Sequence, residues 1–395
     1  NLAGPRNDPA NRIWVGSLDG APARPLIPAN FNAQYADGHL LFIRGGDFGG
    51  SLLAQPFDPV RLETSGQPVT VADQVALYGD FLALGDFSVS GNGTLVLDAS
   101  QLSRRLEWYD RGGSQTGVFG EPAVQFGARL SPDGSRISAA VYDPGTQTTQ
   151  IWIGDIARGV RSRLTSGPGS NTGPVWSPDG SKIAFQSDRK HQADIYVRAA
   201  DGSGADEAIT DEMGQRIPAD WSKDGQIVYL DREAAGGRLM QLSVIPVSSP
   251  RKPFTLLPRA PNDFGFSVRL SPDGRWVAYD MNESGRSEIY VVSFPGGQGK
   301  VQISNNGGVA PKWARGGKEI LYNSFDGKLI SVEIDTSRGG LRAGTPKPLF
   351  ELPEGAGFGW DVTADGDRFL VNVPVIKSSS VPLNVVVNWT AALKK

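Results

Sequence analysis

Three aspartates near the C-terminal end of the chain, Asp361, Asp365 and Asp367, are of a residue type that binds calcium. An EF-hand loop needs further oxygen ligands at fixed spacing, including a bidentate glutamate, and this segment lacks them. Asp365 also belongs to a turn that recurs along the chain. A structural use of these carboxylates is therefore favoured over a metal site.

Histidine and cysteine chemistry is scarce in this sequence. The chain has no cysteine and only two histidines, His39 and His191. The missing cysteine excludes disulfides, thiolate zinc sites and cysteine nucleophiles. His191 lies in a charged segment, residues 188–192, that is typical of a solvated loop. The sequence predicts no metal site and no bound cofactor.

Motifs for nucleophilic and phosphate chemistry are also missing. No serine has glycine at both positions of a Gly-x-Ser-x-Gly elbow. The Gly-Lys pairs at 299–300, 317–318 and 327–328 are not followed by serine or threonine, so no Walker A loop is present. The sequence therefore predicts no catalytic residue and favours a binding function over an enzyme.

Charge and composition narrow the class of protein further. Lys and Arg number 39 against 42 Asp and Glu, and this balance does not indicate a nucleic-acid partner. No apolar run of about 18 residues predicts a membrane-spanning helix. With 50 glycines and 28 prolines, the chain is rich in turns, which argues against a helical bundle.

A short turn recurs along the whole chain. Its clearest copies are Ser131–Gly134, Ser177–Gly180, Ser222–Gly225 and Ser271–Gly274. Weaker copies bring the final glycines to positions 38, 93, 134, 180, 225, 274, 317 and 366. The mean spacing is about 47 residues, within the range of propeller-blade repeats.

The residues around each turn predict a four-stranded unit. Pro, Asp and Gly in this order suit a type I turn followed by a positive φ, which closes a hairpin. An apolar column precedes the turns, and the tryptophans in it are predicted to lie in the core. Its members are Tyr35, Val89, Leu130, Trp176, Trp221, Leu270, Trp313 and Val362.

The repeat predicts an all-β fold, a single β-propeller of four-stranded blades over residues 1–395. Eight turns predict eight blades, with seven as the alternative. Residues 1–30 resemble the last two strands of a blade, and 367–395 supply strands of the last repeat, including a third strand at 383–389. We expect these two segments to take part in ring closure.

The turn, together with Lys182–Phe185 and Asp194–Val197 after one copy, resembles the TolB-like, WD40-like (PD40) propeller repeat of bacteria. Segments 13–20, 38–42, 53–58 and 385–389 resemble more narrowly the C-terminal propeller region of acidobacterial-type eukaryotic-like Ser/Thr kinases. This resemblance implies an extracytoplasmic sensor region. The chain has no kinase-type Gly-rich loop and no HRD motif, so kinase activity does not carry over.

Variable loops on a rigid ring are the expected partner surface. Those loops carry charged or polar residues, namely Arg189, Lys190, His191, Arg216, Glu233, Glu283 and Arg286. We expect a protein or peptide partner there. Two alternatives stay open: a structural subunit of a larger assembly, and a lyase- or glycosidase-type propeller enzyme that uses carboxylates at the channel mouth.

Overall fold

The regular secondary structure of the described residues is almost entirely β-strand. The computed structural model describes residues 12–16, 22–29, 31–45, 49–78, 84–98, 103–190, 193–210, 214–232, 240–258, 264–283, 285–337, 339–357, 359–375 and 383–394. Within these ranges the helical elements are two 3₁₀ segments, Arg315–Gly317 and Trp389–Lys394. The predicted all-β class is confirmed.

The strands are numbered in chain order. The first eighteen are β1 (Arg12–Val15), β2 (Arg24–Pro28), β3 (Ala33–Ala36), β4 (His39–Gly45), β5 (Gly49–Asp58), β6 (Glu63–Thr64), β7 (Val69–Tyr78), β8 (Leu84–Gly85), β9 (Phe87–Val89), β10 (Thr94–Leu97), β11 (Arg104–Asp110), β12 (Gln115–Ala123), β13 (Gln125–Leu130), β14 (Arg136–Asp143), β15 (Thr148–Asp155), β16 (Val160–Arg163), β17 (Asn171–Trp176) and β18 (Lys182–Ser187). The others are β19 (Asp194–Ala199), β20 (Glu207–Ala208), β21 (Gln215–Trp221), β22 (Gln226–Arg232), β23 (Met240–Pro246), β24 (Phe254–Leu257), β25 (Phe264–Leu270), β26 (Trp276–Met281), β27 (Glu288–Ser293), β28 (Val301–Gln302), β29 (Val309–Ala314), β30 (Glu319–Asn323), β31 (Lys328–Asp335), β32 (Arg342–Ala343), β33 (Lys347–Glu351), β34 (Trp360–Val362), β35 (Arg368–Pro374) and β36 (Asn384–Val387).

The chain folds into two compact units. The first contains Asn1–Leu102, Tyr142–Thr148 and Ile376–Lys395, and the second contains Ser103–Val141 and Thr149–Val375. The prediction of one domain over residues 1–395 is not confirmed by this division.

The first unit contains the strands at both ends of the chain. Its largest sheet has the order β3-β4-β5-β7-β8, with β6 paired to β5, and β1 pairs with β2. The C-terminal strand β36 pairs with β10 in the order β36-β10-β9. The segment predicted as the third strand of the last repeat, which contains β36, therefore belongs to the sheet of β9 and β10 instead.

The second unit contains six antiparallel sheets in its described part. Sheets 1 to 4 each take four consecutive strands, β13–β16, β17–β20, β21–β24 and β25–β28. Sheet 5 has the order β29-β30-β31, with the short strands β32 and β33 both paired to β31. Sheet 6 has the order β12-β11-β35-β34 and so joins strands that are far apart in sequence.

The first strands of these sheets form a closed ring. Each contacts the next in the order β13, β17, β21, β25, β29 and β34, and β34 contacts β13 again. The eight-blade prediction is thus not confirmed, because the turns at Gly38 and Gly93 close the hairpins β3–β4 and β9–β10 of the first unit. Neighbouring sheets bury the faces that a single sheet leaves exposed.

Ring closure occurs in sheet 6. Strand β35 pairs with β11 from Arg104↔Pro374 to Asp110↔Arg368. The partner of residues 368–374 is thus β11, while the described strands near the N-terminus, β1 and β2, pair with each other. The physical reason is that β11 and β12 supply the last two strands that the final repeat lacks.

The recurring turn has the conformation that its sequence predicts. In the first strong copy, the Gly134 amide donates to the oxygen of Ser131 at 2.8 Å, and Gly134 has a φ of 69°. Such a φ favours glycine because it has no Cβ. The hydroxyl of Ser131 donates to Asp133 Oδ1 at 2.5 Å, so the aspartate holds the turn from within.

The apolar column before the turns packs mainly into the core. Trp176, Trp221 and Trp313 are 6%, 8% and 9% exposed, which confirms their predicted packing role. Tyr35 in the first unit is the exception, at 50% exposed. Trp14 on β1, which lies outside this column, is also 50% exposed.

Candidate functional site

The inner strands of the second unit carry charges at one shared position. The residue directly before the apolar column is, in ring order, Arg129, Val175, Asp220, Arg269, Lys312 and Asp361. We call these six residues the axial ring. Five of them are charged, although charged residues rarely lie in protein interiors unless they are paired. Such a concentration of charge on inner strands is a candidate binding site.

The axial ring has an approximate two-fold pattern. Sheets 1 to 3 contribute Arg129, Val175 and Asp220, and sheets 4 to 6 contribute Arg269, Lys312 and Asp361. The surrounding hydrogen bonds repeat as well, since Trp176 Nε1 donates to the oxygen of Arg129 at 3.2 Å. Three sheets further on, Trp313 Nε1 donates to the oxygen of Arg269 at 3.1 Å. The two halves differ in charge only at Val175 and Lys312.

The two carboxylates of the axial ring connect neighbouring sheets. Asp220 Oδ2 accepts the Leu270 amide at 2.7 Å, and Oδ1 accepts the Trp221 amide at 2.9 Å. Asp361 Oδ2 accepts the Leu130 amide at 2.8 Å, which joins sheet 6 to sheet 1. Both carboxylates are therefore already held by main-chain donors.

The two arginines converge on one carbonyl group. Arg129 Nη1 donates to the Ala219 oxygen at 2.9 Å, and Arg269 Nη1 approaches the same oxygen at 3.3 Å. Arg269 Nη1 also donates to the Val268 oxygen at 2.8 Å. Burial, and then repulsion by Arg269, lowers the pKa of Arg129 to about 9. The guanidinium groups thus share a crowded, partly desolvated space.

Lys312 is the most buried cation of the axial ring. The residue is 6% exposed, and its Nζ lies 3.7 Å from Asp361 Oδ1, beyond hydrogen-bond distance. The Trp360 ring lies 5.9 Å from Nζ. Burial, followed by repulsion from Arg269, holds the pKa of Lys312 well below its usual value. The protonated form of Lys312 is therefore disfavoured at this position.

Two of the predicted partner-surface residues, Arg189 and Arg216, already form ion pairs within the fold. Arg216 is 5% exposed and forms ion pairs with Asp194 at 3.3 Å and Asp231 at 3.7 Å. Arg189 is paired with Asp206 at 2.6 Å, and its guanidinium lies 4.4 Å from the Tyr196 ring centre. Arg216 cannot form part of an accessible surface, because it is buried.

The other predicted surface residues are not brought into one site. Lys190 is exposed, Glu283 pairs with Lys300 at 2.5 Å, and the half-exposed Arg286 pairs with Glu288 at 3.2 Å. His191 and Glu233 lie outside the described residues. A partner surface on these loops stays a prediction.

The axial ring is not among the sites that the sequence interpretation predicts, although the sequence carries a signal for it. The apolar column is evident from the repeat, and a comparison of the position one residue earlier would have shown the charges. Asp361 enters that interpretation only as part of a calcium loop. Among the described residues, no group of three or more His, Cys, Asp or Glu side chains could hold a metal ion. No helix in the same ranges is long and apolar enough to cross a membrane.

The second unit, with its closed ring of sheets, defines the fold as a β-propeller. Residues 112–252 match the PD40 family model, described as the TolB beta propeller domain. A solved structure of the putative TolB from Agrobacterium tumefaciens superposes with a TM-score of 0.55 at 18% identity, over 70% of this chain and 99% of that chain. The predicted TolB-like repeat is thereby confirmed.

Two curated relatives match shorter segments. The Tol-Pal system protein TolB of Anaeromyxobacter dehalogenans (strain 2CP-C) is 33% identical over 101 residues, 25% of this chain and 22% of that protein. The uncharacterized peptidase YuxL of Bacillus subtilis (strain 168) is 32% identical over 107 residues, 26% of this chain and 16% of that protein. The chain thus spans less than a quarter of the length of either relative.

Proposed function

We propose that this chain is a non-catalytic propeller that binds a protein partner at the axial ring. The observation that carries the proposal is the set of five charged side chains on the inner strands of a closed ring. Four of them, Arg129, Asp220, Arg269 and Asp361, are only partly buried and so remain accessible. The match of residues 112–252 to the TolB propeller model supports a role in protein interaction.

Site-specific photo-crosslinking tests this proposal. A photoreactive amino acid replaces Lys223, which is exposed on the turn directly after the axial position of sheet 3. The matched control replaces Val160, which is 58% exposed on the outer strand β16. We expect a discrete adduct in native cells at position 223 and none at 160. Equal labelling at both positions, or at neither, contradicts the proposal.

The extracytoplasmic, receptor-like setting is part of the same proposal. Its support is the resemblance of segments 13–20, 38–42, 53–58 and 385–389 to kinase-linked propeller regions. The gene sequence upstream of Asn1, with fractionation of the natural product, tests it. A kinase domain and a membrane segment are the expected result. A cytoplasmic product without them overturns this part and leaves the crosslinking result untouched.

The second candidate function is that of a propeller attached to a peptidase. Its support is the segment of this chain that is 32% identical to the uncharacterized peptidase YuxL. Hydrolysis of an oligopeptide panel by the purified chain or its full-length product would favour it. Within the ring, Asp220 and Asp361 accept main-chain amides, which suits a structural carboxylate better than a general acid or base. The binding function is therefore preferred.

A further inference from the structure

The axial ring carries more positive than negative charge, and it has unused donors. We infer that it binds one carboxylate group carried by a peptide segment of the partner. This inference rests on the proposed function and adds the chemistry of the ligand. Three features of the axial ring support it: the charge balance, the free donors and the burial of Lys312.

The charge balance follows from the two-fold pattern. By formal charge, Arg129 balances Asp220 in one half and Arg269 balances Asp361 in the other, although the ion pair of Asp361 is with Lys312 at 3.7 Å. Lys312 has no counterpart, since its symmetry-related position is Val175. Among these six residues one formal positive charge is left over, and a ligand with a single negative charge neutralises it.

The free hydrogen-bonding capacity is on the cations. The Asp220 and Asp361 oxygens already accept amides at 2.7 to 2.9 Å. Arg129 and Arg269 each use only Nη1 in hydrogen bonds to described residues. Guanidinium donors left in this way suit the planar, two-oxygen geometry of a carboxylate.

The burial of Lys312 is a second, independent argument that the axial ring binds a carboxylate. Its side chain is 7% exposed, and Nζ has no hydrogen-bond acceptor among the described residues. A buried charged group without a hydrogen-bonded partner is costly. A carboxylate oxygen beside Nζ would lower this cost, and it would also raise the depressed pKa of Lys312.

The path of Arg129 places its guanidinium where a terminal or side-chain carboxylate of a peptide can reach it. Arg129 starts on β13 and reaches the Ala219 oxygen on β21, past the intervening strand β17. Its guanidinium thus extends over part of the ring, where its remaining donors can bind a carboxylate at a chain end or on a side chain of the peptide.

Calorimetric titration with simple probes at fixed ionic strength tests the inference. The probes are acetyl-Ala-Ala-Ala with a free C-terminus, the same peptide as its amide, acetyl-Ala-Glu-Ala amide, sodium acetate and inorganic phosphate. We expect at least one carboxylate peptide to bind about tenfold or more tightly than the neutral amide, a difference of about 1.4 kcal/mol. The tighter of the two identifies a terminal or a side-chain carboxylate as the source.

Variants at two matched positions sharpen the test. Lys312→Met should weaken binding of the carboxylate peptide by about tenfold, whereas Lys347→Met, at a lysine whose side chain is 67% exposed, should not. If Lys312→Met does not fold, the ¹⁵N signal of Lys312 Nζ in the wild type replaces it. That signal should report a higher pKa when the peptide is added.

Several outcomes overturn the inference. They are equal binding of acid and amide peptides, unchanged binding by Lys312→Met, tighter binding of phosphate than of carboxylates, and acetate binding as tightly as the peptides. If these occur while the adduct at position 223 persists, the proposed protein-binding function stands and only the ligand chemistry is wrong.

Discussion

The main-chain amide of Ser267 donates a hydrogen bond to Oδ1 of Asp280 at 3.1 Å, inside sheet 4. Asp280 is 4% exposed, and burial raises its pKa to about 7. The residues at the same distance after the recurring turn in sheets 5 and 6 are Asn323 and Asn372. A neutral amide thus occupies this position in sheets 5 and 6, whereas sheet 4 has the carboxyl group of Asp280.

The variant Asp280→Asn should be more stable than the wild type above neutral pH. A raised folded pKa means that folding favours the protonated carboxyl, so wild-type stability falls as pH rises from about 4 through about 7. The amide avoids this loss. We expect a gain of roughly 2 to 4 kcal/mol at pH 8 and little change at pH 4. Denaturant unfolding at both pH values measures it.

The exposed turn variant Asp224→Asn is the control for Asp280→Asn, and its pH dependence should match the wild type. An unchanged pH dependence in Asp280→Asn would show that Asp280 does not titrate in this range. Loss of stability at both pH values would show that the buried amide lacks a partner.

The repeat pattern predicted the local structure well, because turn chemistry is a local property. Gly134 and the other seven turn glycines all have positive φ, and Trp176 and Trp313 are buried. The blade count depends on which strands pair, and this is a non-local property. Strand β36 resembles a blade strand in sequence but pairs with β10, so the number of turns alone does not determine the number of blades.

The candidate site was harder to predict for a related reason. Charged loop residues such as Arg189 and Arg216 look available in the sequence, yet carboxylates from other strands pair with them. Lys312 looks like an ordinary strand lysine until ring closure places Asp361 and Arg269 near it. Contacts between residues that are far apart in the sequence decide both cases, and a single sequence does not display them.

Breaking the buried ion pair of Arg216 should be strongly destabilising. Arg216→Met leaves Asp194 with the hydroxyl of Thr210 at 3.0 Å as its remaining side-chain donor among the described contacts. Loss of one member of a buried pair typically costs about 3 to 5 kcal/mol. We expect the free energy of unfolding to fall by about 3 kcal/mol, measured by thermal or urea unfolding at pH 7.

The pH dependence of Arg216→Met separates lost charge pairing from lost packing. Burial raises the pKa of Asp194, and removal of Arg216 should raise it further. The variant should therefore recover part of its stability when the pH is lowered to 5. Arg158→Met, whose side chain is 81% exposed, is the control and should change stability by less than about 0.5 kcal/mol. Equal effects of the two variants would contradict the burial of Arg216.

The recurring turn predicts a shift in the pKa of a single carboxyl. The hydroxyl of Ser131, followed by Ser135, lowers the pKa of Asp133 to about 2. Stability from this group is complete above about pH 4 and is lost as the pH falls toward 2. Ser131→Ala should raise the pKa of Asp133 by about one unit, measured by NMR titration. Asp179 is the internal control, since its own donor Ser177 is intact and its pKa should stay about 2.

The pairing of β11 with β35 in sheet 6, which closes the ring, can be tested with an engineered disulfide. Asp110 and Arg368 are directly opposite each other on β11 and β35, and the chain has no cysteine of its own. Asp110→Cys combined with Arg368→Cys should oxidise to one intramolecular disulfide, and the oxidised form should be more stable than its reduced form by about 2 to 4 kcal/mol. Unfolding with and without reductant measures this difference. The wild type should not respond to reductant, and failure of the two thiols to pair would contradict closure through β11 and β35.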